Sequence, residues 1–248
     1  MQIKAGLLAL LLPILTACVT VGGEPPAQNE KASAINVQLG IGYMEQKNFE
    51  QANQKLLKAL RQNPDSATAH YVYAILQDQL LEKEVAGKHY KIAVELDPTD
   101  SAAANNYGKY LCLNGREVES EKYFLSALNN PLYKTPEIAY TNAGLCSLKT
   151  NEKIKAKTYF RKALAAKSNF GSALIEMSTL DLNEDKFDEA KIYIDRFHLV
   201  DQPTARSLWL AIRVERGING DNNVQELGQQ LESEFPNSAE LKSWLALK

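Results

Sequence analysis

Residues 33–64, SAINVQLGIGYMEQKNFEQANQKLLKALRQNP, place Leu39, Gly40 and Tyr43 in one helix-compatible run and Ala52, Leu56 and Ala59 in a second, closed by Pro64. The apolar spacing within each run is that of a helix, and Gln46-Lys47-Asn48 between them leaves room only for a tight turn. Gly40, Ala52 and Ala59 fall where two antiparallel helices touch, where small side chains let the backbones approach. A lone hairpin of this kind cannot bury its apolar face and requires neighbours stacked upon it.

The same pattern returns along the chain. Pro98 follows Pro64 by 34 residues, with Tyr73, Ala74, Ala86, Tyr90 and Ala93 in matching places. A third unit carries Tyr107, Gly108, Leu111, Ser120, Phe124 and Ala127 and closes at Pro131. After a two-residue insertion, Ala143, Gly144, Ala156, Phe160 and Ala163 make a fourth. Met177, Ser178, Ala190 and Ile194 mark a fifth, and Ala211, Val224, Leu231 and Pro236 a sixth. This spacing resembles the tetratricopeptide repeat. The expected fold is all-α, a right-handed superhelical solenoid of six hairpins (residues 33–66, 67–100, 101–134, 137–170, 171–204 and 205–236) with a capping helix over 237–248.

At the contact positions Phe197, Ile212, Val224 and Leu231 break the small-residue rule, so the last two units require adjusted packing. Gly217, Gly220 and residues 219–223 read as a loop. Alternating strand patterns are absent from the sequence.

Upstream, Lys4 precedes an apolar run from Ala5 to Leu15, broken only by Pro13, too short to span a bilayer and shaped like a secretory leader. It ends in Leu15-Thr16-Ala17-Cys18, which resembles the lipobox of bacterial lipoproteins. That resemblance implies a signal peptide over residues 1–17 and acylation of Cys18, the membrane attachment. Val19 in place of the aspartate of inner-membrane retention implies the outer membrane, facing the periplasm. Residues 18–32, with Gly22, Gly23, Pro25 and Pro26, read as a tether, about 20 Å in average reach, leading to the repeat domain over 33–248.

Function classes narrow quickly. A net charge of -2 and a pI near 6.0 give no footprint for nucleic acid. No phosphate-binding glycine loop, HExxH pair or CxxC pair occurs, so neither catalysis, metal, cofactor nor small-molecule substrate is indicated. His70, His89 and His198 read as surface or packing residues. Cys112 and Cys146, 34 residues apart at equivalent places of stacked hairpins, are candidates for a disulfide in an oxidising compartment, the alternative being two buried thiols.

Asn105-Asn106-Tyr107-Gly108, Leu111-Cys112, Gly115, Pro131-Leu132-Tyr133 with Pro136, and Asn142-Ala143-Gly144-Leu145-Cys146 together resemble the type IV pilus biogenesis and stability lipoproteins of the PilW/PilF group. The resemblance implies a pilotin, an outer-membrane lipoprotein that binds subunits of the pilus secretin and promotes their localisation and assembly. The alternative is a repeat lipoprotein serving another envelope machine, either outer-membrane protein assembly, whose scaffold would have five repeats, or the docking of peptidoglycan enzymes. In such solenoids the concave groove is lined from the first helix of each hairpin. Here that selects Val37, Ile41, Met44, Tyr71 and Ile75 as an apolar partner-binding strip, unless neighbouring helices or the tether cover it.

Overall fold

The computed structural model describes residues 26–218 and 221–247, and within them the chain is entirely helical. Six antiparallel hairpins follow one another: α1 (Pro26–Glu45) with α2 (Phe49–Gln62), α3 (Ala67–Gln79) with α4 (Lys83–Leu96), and α5 (Ser101–Leu113) with α6 (Glu117–Leu128). Then come α7 (Pro136–Lys149) with α8 (Lys153–Ala166), α9 (Gly171–Leu182) with α10 (Phe187–Val200), and α11 (Ala205–Ile218) with α12 (Asp221–Glu234). A short α13 (Ala239–Leu245) closes the array.

Each of the first five hairpins turns on one residue in the left-handed region: Lys47 (φ 58°), Leu81 (φ 64°), Gly115 (φ 79°), Asn151 (φ 61°) and Asp185 (φ 56°). Their spacing copies the sequence repeat, including the two-residue insertion before α7. Only Gly115 adopts this backbone without steric cost. The joints between hairpins are capped by side chains: Ser66 Oγ accepts from Ala69 N, and Asp100 Oδ1 accepts from Ala102 N and Ala103 N.

Inside a hairpin, the contact glycine of the first helix lies against a large side chain of the second. A Cβ on Gly40 would stand 2.7 Å from Leu56, one on Gly108 2.8 Å from the Phe124 ring, and one on Gly144 2.6 Å from the Phe160 ring. Leu56, Phe124 and Phe160 are thereby fully buried. In the sixth hairpin the sizes exchange. Ile212 stands where the others have glycine, alanine or serine, and Gly228 stands where they have a large residue. The Trp244 indole of α13 then closes on Gly228, where a Cβ would meet it at 2.3 Å. Ile212, Val224 and Leu231 join Trp244 in one buried cluster, so these three departures from the small-residue rule form a repacked core that includes the cap, while Phe197 packs separately with Leu174, Ile175 and Ile194.

Two boundaries differ from the sequence reading. α1 begins at Pro26, so residues 26–32, assigned to the tether, are helical. Proline is tolerated at the first turn because its missing N–H would be unpaired there anyway, and Ala27, Gln28, Glu30 and Lys31 are good helix formers. α12 begins at Asp221, so residues 221–223, assigned to a loop, are helical as well.

Candidate docking groove

The five residues expected to line the groove divide by depth. Val37 is 2% exposed, packed with Leu56, Val72 and Leu76 in the core of the first hairpin, and offers nothing to a partner. The groove position nearest the middle of α1 is covered because α1 packs on both α2 and α3. Ile41, Met44 and Tyr71 are half-buried at the rim of that same cluster, and Tyr71 and Ile75 lie at the rim of the next. The strip therefore consists of four residues, with Tyr71 joining the two hairpins.

Tyr71 Oη accepts a hydrogen bond from Asn106 Nδ2 at 2.8 Å, and the same amide donates to Ala102 O. Burial, reinforced by the negative fields of Asp100 and Tyr133, pushes the phenol up to about 12. It stays protonated and keeps an O–H to give. One hairpin further on, Asn142 Nδ2 donates to Asn105 Oδ1 at 3.0 Å. The apolar rim of the first two hairpins thus passes into an amide-rich stretch along the third and fourth.

Two features escaped sequence reading. Ile35 and Leu39, one turn apart on α1, are exposed at 61% and 44%. Leu39 occupies a repeat position that ordinarily packs on a preceding hairpin, but α1 packs on α2 and α3, which lie on its other sides. Toward the other end, a concavity of about 550 Å³ is walled by Leu145, Ile175 and Phe197, with Arg206 at its rim paired to Glu176 at 2.9 Å. It arises from the meeting of three hairpins, which no local pattern reports.

Cys112 of α5 and Cys146 of α7 form a disulfide with Cα atoms 5.9 Å apart, tying the third hairpin to the fourth. Beside it, Lys149 Nζ donates to Cys112 O at 2.7 Å, and Ser120 Oγ lies 3.1 Å from Cys146 Sγ. His70 and His89, read separately from the sequence, are hydrogen-bonded to each other within the second hairpin. Among the described residues no group of three or more histidine, cysteine or acidic side chains is placed to hold a metal ion, and no helix is long and apolar enough to cross a membrane. Cys18 and residues 1–25 lie outside the described residues.

A tetratricopeptide repeat model matches residues 37–101. The type IV pilus assembly protein PilF of Pseudomonas aeruginosa is 34% identical over 252 residues, covering 100% of both chains. The solved structure of Pseudomonas aeruginosa PilF superposes with a TM-score of 0.82 at 32% identity, over 89% of this chain and 100% of that one. That of PilW, described as a widely conserved type IV pilus biogenesis factor, superposes with a TM-score of 0.79 at 30% identity, over 86% of this chain and 98% of that one. Full-length identity at this level, on a shared solenoid of helix hairpins, means that this chain belongs to the PilF/PilW family of type IV pilus biogenesis proteins.

Proposed function

We propose that this protein is a non-catalytic lipoprotein of the type IV pilus system, acylated at Cys18 and held on the periplasmic face of the outer membrane. There it binds secretin subunits and promotes their localisation and assembly. The observation that carries the reading is the open strip of Ile41, Met44, Tyr71 and Ile75 on successive first helices. These side chains sit on a buried core yet keep part of their surface in water, the condition under which a partner's apolar residues gain most from docking. Tyr71 supplies a fixed O–H within the strip, and such a donor sets register more than affinity. The six hairpins among the described residues also favour this reading over an outer-membrane assembly scaffold, for which five are expected.

Two substitutions test it. Ile41→Asp or Ile75→Asp places a charge where a partner's apolar residue would dock, and a loss of about 2 kcal/mol or more weakens binding roughly thirty-fold. Both variants keep wild-type helicity by circular dichroism and lose the secretin in pull-downs from detergent-solubilised outer membranes. Undiminished capture by both would exclude this face.

A further inference from the structure

The disulfide is not sealed equally on both sides. Cys112 and Cys146 are each 5% exposed, so exposure alone does not distinguish them. A cavity of about 220 Å³ opens between α6, α7 and α8, and Cys146 lines it whereas Cys112 does not. Ser120 Oγ, also in that lining, lies 3.1 Å from Cys146 Sγ. The wall is charged. Glu117, Glu121 and Glu152 supply three carboxylates against two ammoniums: Lys155 pairs with Glu121 at 2.7 Å and with Glu152 at 3.4 Å, and Lys149, beside the lining, reaches Glu117 at 3.5 Å, leaving a surplus of one negative charge. The remaining lining side chains are neutral.

The geometry points to a thiol–disulfide exchange site at Cys146, entered from this cavity and selective for thiols that carry positive charge. The incoming thiolate forms a bond to Cys146 Sγ, the Cys112–Cys146 bond breaks, and Cys112 leaves as the thiolate, which takes a proton from water. A second equivalent of the same thiol attacks the mixed disulfide, releases the small-molecule disulfide and leaves both cysteines reduced. Cys112 is not part of this cavity's lining, so a thiol entering here meets Cys146 first. An anionic thiol meets a surplus of carboxylates on the way in, and a cationic one is drawn by them. Opening the bridge removes the covalent tie between the third and fourth hairpins. The hydrogen bond between Asn105 and Asn142 crosses that same joint, so the amide-rich part of the groove would respond to the redox state.

The experiment uses the full chain and three small thiols. Cysteamine, 2-mercaptoethanol and mercaptoacetate are compared by reduction rate, each corrected for its thiolate fraction and intrinsic nucleophilicity. The expected order is cysteamine fastest and mercaptoacetate slowest, spanning about tenfold at low salt and converging in 1 M salt. Glu121→Gln narrows the span. In parallel, substoichiometric cysteamine quenched with N-ethylmaleimide is mapped by peptide mass, with cysteamine expected on Cys146 and maleimide on Cys112. Cysteamine on Cys112, an even distribution over both cysteines, or equal corrected rates for the three thiols overturns the proposal.

Discussion

His70 Nδ1 lies 2.8 Å from His89 Nδ1, and His70 Nε2 lies 2.9 Å from the carbonyl oxygen of Pro64. A carbonyl can only accept, so His70 donates from Nε2 and its Nδ1 accepts from the N–H of His89. The pair joins the two helices of the second hairpin to the end of the first, and needs a single proton between the two Nδ1 atoms. Burial first, then the His70 and Lys88 fields, lower His89 from 6.5 to about 4.

This relation sets a pH dependence. The unfolded chain takes up the His89 proton near pH 6.5 and the folded chain only near 4, so the contribution is complete above 6.5 and is lost as pH falls toward 4. Burial lowers His198 too, which adds to the loss with the same sign. Thermal unfolding followed between pH 7 and 5 gives a falling Tm for the wild type and a shallower fall for His89→Gln. Parallel curves would remove the histidine pair as the cause.

Glycines at helix contacts and glycines in open space predict opposite outcomes. Gly108→Ala drives a methyl group into the Phe124 ring and costs about 1–3 kcal/mol. Gly42→Ala on α1 meets nothing within 4 Å and gains up to about 1 kcal/mol from helix propensity. Urea unfolding midpoints of the two variants should move in opposite directions.

Leu81 holds a left-handed backbone at φ 64° with a side chain 78% exposed. Its strain is offset by little packing, so Leu81→Gly stabilises by about 1 kcal/mol. Asn151→Leu, at the equivalent turn of the fourth hairpin, destabilises by a similar amount because asparagine tolerates this conformation better. Differential scanning calorimetry on both variants checks the pair of signs.

Lys157 is buried, with Nζ at 2.7 Å from Asp181 Oδ1 and 2.7 Å from Glu184 Oε2. Hydrogen bonds from Lys157 and then Lys186 hold the Glu184 carboxyl down at about 2. Lys157→Met strands the buried Asp181 carboxylate and costs about 3–5 kcal/mol, and adding Asp181→Leu recovers most of that loss. A double-mutant cycle by chemical denaturation measures the recovery; strict additivity would mean that the two side chains do not depend on each other.

The architecture was largely legible because each hairpin declares itself locally. Gly40, Ala52, Leu56 and Pro64 report a helix contact and a helix end within one repeat, and repetition multiplies that signal. The groove was legible only in part. Ile41, Met44, Tyr71 and Ile75 keep the partial exposure their repeat positions imply, but Val37 sinks into the core because α1 packs on two neighbours. The swap of Ile212 with Gly228 was visible only as a broken rule, since the Trp244 ring that completes it belongs to a separate helix.

By itself, then, the sequence determined the class of fold, the period of the array and the family resemblance, all properties that follow from short-range spacing. Tertiary structure alone decided which groove residues remain open, that His70 and His89 share a proton position, and that Cys146 rather than Cys112 lines the cavity between α6, α7 and α8. These depend on distances between side chains from different helices, and a pattern along one chain carries no term for the depth at which a residue comes to rest.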